Sequence, residues 1–349
     1  MPRLLLLGTG GIAGHHITEF AAIPECKISA CVDAVPGRAK TFAEANGIGR
    51  AFDGLDAALA WGKFDAAINC TPDGVHMATT LALLAAGKHV FCEKPLAPNH
   101  HDAFAMTEAA EAGGLINMVN LTYRNSPALL QARAMVEAGA LGALRHVEAS
   151  YRQSWLVSKA WGDWRVEDKW LWRLSTGHGS TGVLGDVGVH ILDFATYGAA
   201  DEIVRVQGDL ATFHKAEGDR IGNYLLDAND SMAATARLAS GALATIVATR
   251  FATGHANDLT LSLHGTNGAL RVETDGNASR LSGCFGKDID RNRWKKIETG
   301  EVKRNARRFA DALKSGKNGD PSFRRAADMQ RVIDAIFDSA KSGKPVAVG

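Results

Sequence analysis

The chain has 349 residues, 46% hydrophobic and 22% charged, with a formal net charge of +1. That length exceeds one ordinary hydrophobic core, so two domains are expected. A near-neutral chain without a basic stretch excludes the electrostatic footprint of a nucleic-acid or anionic-membrane binder. Five cysteines, at 26, 31, 70, 92 and 284, are odd in number and lack metal-type pairing. Three fall in predicted strands, where a free thiol behaves as a small hydrophobe, and a cytoplasmic, reducing setting fits. The apolar run at residues 4–7 is broken at once by glycine. It is too short for a signal peptide, and no later stretch is long enough to span a bilayer.

Residues 3–7 read as a buried strand, followed directly by Gly8-Thr9-Gly10-Gly11-Ile12-Ala13 and a helix to about Ala22. This is G-x-G-x-x-A between a strand and a helix. Gly8 permits the tight turn, Gly10 lets a pyrophosphate approach the backbone, and Ala13 lets the helix pack closely on the strand. A second strand, residues 27–32, ends in Asp33, at the spacing where an acid meets the adenosine ribose hydroxyls. A carboxylate there repels a 2′-phosphate, so NAD is favoured over NADP. Arg38 opposes this if it reaches that phosphate; the expectation is a solvated residue in the first turns of the next helix.

Strands at 65–70, 88–92 and 115–119 alternate with helices at 73–86 and 100–113, which predicts a parallel, doubly wound sheet. Thr71-Pro72 and Glu93-Lys94-Pro95 each follow a strand, so both loops share the sheet edge of Gly8, Gly10 and Gly11. Ligands bind at that edge, and Lys94 stands on it. His76, one turn into its helix, reads by itself as a packing residue.

After Leu121 the pattern changes. A helix at 128–138 precedes an alternating run at 144–152 and a loop carrying Trp155, Trp161, Trp164, Trp170 and Trp172. These rings could line a sugar pocket, though filling the core of an irregular loop accounts for most of them. A glycine and hydroxyl cluster at 177–182 leads into a helix at 183–197, with Gly198 as the residue just past its end. On that helix Asp186, His190 and Asp193 stand at i, i+4 and i+7 and are expected to share one face. An acid and a histidine one turn apart on an apolar helix form a structural hydrogen bond, a metal-ligand pair or an oriented general acid/base. No further spaced cluster completes a metal site. Residues 203–274 read as antiparallel strands, with turns at Ser240-Gly241 and at Thr266-Asn267-Gly268. The stretch 277–300 is unassigned, and helices at 302–315 and 322–342 close the chain. The second domain is thus α+β, an open antiparallel sheet with helices on one face. The other face has few charges for a solvated surface, which predicts a homodimer or homotetramer.

The motifs occur in a telling order: GTGGIAG, Asp33, Thr71-Pro72 with His76, AAGKHVFCEKPLA, Tyr123-Arg124 with Pro127, and GDVGVHILD. In that order the chain resembles the glucose–fructose oxidoreductase / inositol dehydrogenase / MocA family of NAD(P)-dependent sugar and polyol oxidoreductases. The resemblance implies a Rossmann domain at 1–121. It implies a substrate-binding and oligomerisation domain at 122–349, with a large, mostly antiparallel sheet and C-terminal helices that pack back on the first domain. It places the catalytic set on Lys94, Asp186 and His190. Cofactor contacts fall on Gly8, Gly10, Gly11, Ile12, Asp33, Arg38, Thr71, Pro72, His76, Glu93 and Lys94. Substrate contacts fall on Lys94, Asp186 and His190, joined by Tyr123, Arg124, Trp172 and Arg173. Thr122, where many members carry Asn, and Gly177-His178-Gly179-Ser180-Thr181-Gly182, where many carry three successive glycines, depart from the pattern near the substrate.

Removing a hydride from a carbinol requires the hydroxyl proton to leave as well. His190, oriented by Asp186, is the expected base, Lys94 the group that stabilises the alkoxide, and Glu93 the residue that positions the lysine or the nicotinamide. The Lys94–Pro95 bond is free to be cis. Two alternatives stay open: an NAD-dependent glycosidase or lyase with transient redox, and a dinucleotide-sensing regulator. The intact Lys94, Asp186 and His190 argue against the regulator.

Overall fold

The computed structural model describes residues 1–275 and 278–349. By internal packing the chain divides into two units, Met1–Thr122 with Lys303–Gln330, and Tyr123–Val302 with Arg331–Gly349.

The first unit alternates β1 (Arg3–Leu7), α1 (Ala13–Ala21), β2 (Lys27–Val32), α2 (Arg38–Asn46), β3 (Ala51–Phe52), α3 (Leu55–Trp61), β4 (Ala66–Asn69), α4 (His76–Ala85), β5 (His89–Cys92), α5 (His100–Ala112) and β6 (Asn117–Val119). Its six strands lie in the order β3-β2-β1-β4-β5-β6 and pair in parallel throughout. A parallel strand covered on both faces tolerates a continuous apolar run, and Leu4, Leu5 and Leu6 are wholly buried. The strand order reverses between β1 and β4, so the loops that follow them open at the topological switch point. Neither β3 nor α3 appears in the sequence reading, because two residues of strand are too few to show a period. The helix Asn305–Ser315 completes this unit: Phe309 packs on Phe91 of β5 at 5.3 Å between ring centroids, and Arg307 meets Glu25 at 3.0 Å.

The second unit begins with α6 (Pro127–Glu137), β7 (Leu144–Gln153) and the short α7 (Asp168–Leu171). A π-helical turn, Leu184–Gly188, runs straight into α8 (Val189–Ala199). There follow β8 (Ile203–Ala211), β9 (Arg220–Ile221), β10 (Tyr224–Leu225), β11 (Ser231–Leu238), β12 (Leu243–Thr249), β13 (Asn257–Gly265), β14 (Gly268–Thr274), β15 (Ser279–Phe285) and β16 (Lys295–Ile297). After the helix of the first unit, now α9, come α10 (Phe323–Ser342), divided between the units, and β17 (Val346–Ala347). Nine strands lie in the order β16-β15-β14-β13-β7-β12-β11-β8-β17, antiparallel except for β7 beside β12. The unassigned stretch 277–300 therefore holds the last two strands at one end of the sheet, with residue 277 outside the described residues; its polar side chains hid them.

Two expectations for the helix after the glycine cluster are corrected. The helix runs past Gly198, and Ala200 takes the left-handed conformation at its end (φ 51°). Gly198 sits inside the helix because a Cβ there would collide with Leu261 of β13, so its small size serves packing rather than termination. The π turn inserts an extra residue per turn ahead of His190, so spacing on an ideal α-helix does not describe how Asp186 and Asp193 are placed.

Candidate active site

The nucleotide edge of the first unit is built from the turn after β1. Gly8 has φ +89°, and a Cβ there would lie 2.7 Å from the carbonyl oxygen of Cys70. Only glycine lets that turn close against the loop after β4. Asp33, almost wholly buried at the end of β2, anchors the turn: its Oδ2 accepts hydrogen bonds from the Thr9 amide (2.8 Å) and hydroxyl (2.7 Å). Oδ1 accepts from the Val35 amide at 2.9 Å and meets the Arg38 guanidinium at 2.8 Å. Burial alone would raise this carboxyl's pKa; the bonds from Arg38, Val35 and Thr9 outweigh it and bring the value to about 2. The solvated residue expected at Arg38 is thus corrected: Arg38 is the partner of Asp33, although half of its side chain stays exposed. Gly10, Gly11 and Ile12 are exposed at the mouth of the turn, open to a ligand.

The next two loops are tied together from below. Asn69, wholly buried, accepts from the Thr71 amide (3.2 Å) and hydroxyl (2.7 Å) and donates to Thr80 (3.0 Å). This holds Thr71 half-buried and leaves Pro72 exposed. His76 is also wholly buried, with Nε2 2.7 Å from the Thr71 carbonyl and Nδ1 2.9 Å from the Pro95 carbonyl. The expected cofactor contact at His76 is therefore corrected: the ring is spent on backbone and clamps the loop after β4 to the loop after β5. Both partners are acceptors, so both ring nitrogens must donate. Burial works against that charge, but Cys92, Asp73 and the Pro95 carbonyl raise the pKa to about 10.

At the end of β5, Glu93 Oε1 lies 2.7 Å from His16 Nε2 and accepts from Asn120 Nδ2 at 2.8 Å, while Oε2 accepts from the Lys94 amide at 3.2 Å. Burial raises the carboxyl's pKa; the bonds to His16 and Asn120 and the Lys94 charge reverse this and bring it to about 2. Glu93 thus shapes the Lys94 loop by joining α1, β5 and β6. The Lys94–Pro95 bond is cis. His16 and Asn120 were missed in the sequence, where a lone histidine and a lone asparagine carry no signal.

In the second unit, His190 is nearly buried on α8 with its ring edge-on to Tyr123 at 5.1 Å. The Tyr123 hydroxyl lies 2.7 Å from that of Tyr151 and accepts from Asn257 Nδ2 at 3.0 Å, and Tyr151 donates to Asn257 Oδ1 at 2.7 Å. Burial pushes the pKa of both phenols up, so both remain hydroxyl donors at neutral pH. Asp186, partly exposed in the π turn, accepts from Arg250 Nη2 at 3.0 Å and has the Arg173 guanidinium at 3.8 Å. Arg173 and half-buried Trp172 stack at 4.5 Å beside it. Arg124 departs from its expected role. It is buried, donates to both oxygens of Asp193 (2.6 and 2.7 Å) and lies over Tyr197, so it and Asp193 form a structural ion pair. Most tryptophans are likewise structural: Trp155 and Trp164 form a small core with Leu156, Leu171, Leu174 and Leu226, and Trp161 and Trp170 pack against it.

Residues 3–121 match the profile of the "Oxidoreductase family, NAD-binding Rossmann fold", and residues 129–271 match the "GFO/IDH/MocA C-terminal domain". The chain belongs to the Gfo/Idh/MocA family. This Gfo/Idh/MocA protein is 28% identical to a levoglucosan dehydrogenase of Pseudarthrobacter phenanthrenivorans, over 96% of its own length and 95% of the relative's. It is 28% identical to the inositol 2-dehydrogenase of Rhizobium meliloti, over 78% and 75% of the two chains. Its fold superposes on a levoglucosan dehydrogenase solved with NADH and L-sorbose with a TM-score of 0.89, at 26% identity and over 100% and 99% of the chains. The Gfo/Idh/MocA protein is an NAD(P)-dependent oxidoreductase, and the glycine turn, the anchored Asp33 and the open Gly10-Gly11 edge suit a dinucleotide. Among the described residues no helix is long and apolar enough to cross a membrane, and no group of three or more His, Cys, Asp or Glu is arranged to hold a metal.

Proposed function

We propose that the protein moves a hydride between NAD and a carbinol or carbonyl carbon of a sugar, anhydrosugar or polyol. The observation that carries this reading is end-to-end similarity to a sugar dehydrogenase together with a nearly buried histidine on α8, His190, one π turn after a charge-fixed aspartate, Asp186. Bound NAD supplies the hydride acceptor. Lys94 presents its Nζ to the substrate oxygen and stabilises negative charge as it develops there. A ring nitrogen of His190 takes the hydroxyl proton, with the ring's tilt limited by the Tyr123 edge. Asp186 contributes a fixed negative charge that favours the imidazolium once formed. Arg173, beside Asp186, and Trp172, stacked on Arg173, are the substrate-side contacts, together with Tyr123. Gly8 to Ile12, Asp33 and Thr71-Pro72 hold the dinucleotide, and Asp33 favours NAD over NADP.

The outer face of the nine-stranded sheet is the proposed contact between copies in a homodimer or homotetramer. In the middle of it the exposed side chains are small: Ala233 and Thr235 of β11 beside Val247 of β12. Five cysteines without disulfides support a cytoplasmic setting. A panel of free sugars, inositols and anhydrosugars with NAD or NADP, followed at the nicotinamide absorbance, tests the activity. Net NADH formation with at least one member is expected. Substrate cleavage without net NADH overturns it in favour of transient redox.

A further inference from the structure

Arg250 lies just past β12 and is wholly buried, yet nothing in the sequence marks it. Its guanidinium donates through Nη2 to Asp186 Oδ2 at 3.0 Å and through Nη1 to the Arg173 carbonyl at 3.1 Å, and it lies 5.0 Å over the Trp155 ring. Its backbone amide donates to the Asp230 carbonyl at 3.0 Å, and the Asp230 carboxylate is itself held by the buried Lys215 ammonium at 2.6 Å. Two ion-paired groups, Lys215 with Asp230 and Arg250 and Arg173 with Asp186, are thus joined through the Arg250 backbone, and the Asp230 charge acts on the Arg250 guanidinium.

We propose that Arg250 is a positioning residue of the hydride-transfer site: it fixes the Asp186 carboxylate in place. A buried guanidinium with two directional donors on two elements is an effective fixture, because its planar fork sets angle as well as distance. Burial depresses the Arg250 pKa, and the charges of Asp186 and Asp230 oppose that, so the cation and the acid it holds are mutually dependent. The residue touches the chemistry only through Asp186. This inference rests on the proposed role of Asp186, and the test keeps the two apart.

The variants are Arg250→Lys, Arg250→Ala, Asp186→Asn and the double variant Asp186→Asn/Arg250→Lys. Melting temperature, NADH affinity by fluorescence, kcat and KM are measured on each. Arg250→Lys is expected to fold, to bind NADH within about twofold of the parent, and to lose about tenfold or more in kcat. Arg250→Ala should recover severalfold in kcat on adding guanidinium ion, and not with an equal concentration of sodium chloride. If Arg250 acts through Asp186, the double variant is no slower than Asp186→Asn alone. Losses that multiply in the double variant, or a folded Arg250→Lys at parental kcat, overturn the inference about Arg250 and leave the proposed function standing. Asp186→Asn at parental kcat overturns the site assignment itself, and the role of Arg250 with it.

Discussion

The Arg38 guanidinium stands 2.8 Å from Asp33 Oδ1, and Thr9 takes the opposite carboxylate oxygen through both its amide and its hydroxyl. The acid that would meet the adenosine ribose is therefore locked in place, and the nearest cation is already engaged with it. A 2′-phosphate brought to this point meets the carboxylate and loses the ribose hydrogen bonds, about 2–3 kcal/mol together.

NAD is accordingly expected to exceed NADP in kcat/KM by about 30-fold or more. Asp33→Ser should narrow that gap, since it removes the repulsion and releases Arg38 for the phosphate. Steady-state kinetics with both cofactors check this, and equal efficiency in the unmodified protein refutes it.

Lys94→Ala is expected to lower turnover by about a hundredfold while leaving NADH binding nearly intact, because the lysine acts on charge that develops only in the transition state. His190→Ala should lose as much at neutral pH and less at high pH, where hydroxide replaces the missing base. Thermal melts run alongside the kinetics separate this from a packing role, which would lower the melting temperature and spare activity per folded molecule.

His76 should stay protonated well above neutrality. Its folded pKa, about 10, lies above the unfolded value of about 6.5. The stability it contributes is therefore complete below about pH 6.5 and declines as pH rises toward 10. Nitrogen-15 spectra of the labelled protein should show both ring nitrogens of His76 in the imidazolium range at pH 8, with the signals identified by their loss in His76→Gln. A deprotonated ring nitrogen at that pH would contradict the two-carbonyl clamp.

Val247 is exposed on the outer face of the sheet, flanked by Ala233 of β11 and Ser150 of β7. Val247→Glu should shift the protein to monomers in light scattering, because a charge is costly to bury between copies. A parent that is already a stable monomer at micromolar concentration removes the basis for the interface.

Local features determined much of this protein. A glycine-rich turn between a buried strand and a helix, an acid closing the next strand, and prolines stopping two further strands are legible because each is a backbone constraint acting within a few residues. They fixed the doubly wound sheet and put Gly8, Asp33, Thr71 and Lys94 on one edge. Roles set by partners far along the chain were decided only in three dimensions. Asp186 and Asp193 look alike on a helical repeat, yet Arg250, 64 residues on, holds the first, and Arg124, 69 residues back, holds the second. The family resemblance put ligand contacts on Arg124 and His76, although His76 by itself read as a packing residue; burial made one half of an ion pair and the other a clamp between carbonyls. A side chain's chemistry is set by what desolvates it and what faces it, and neither is a property of its neighbours in sequence.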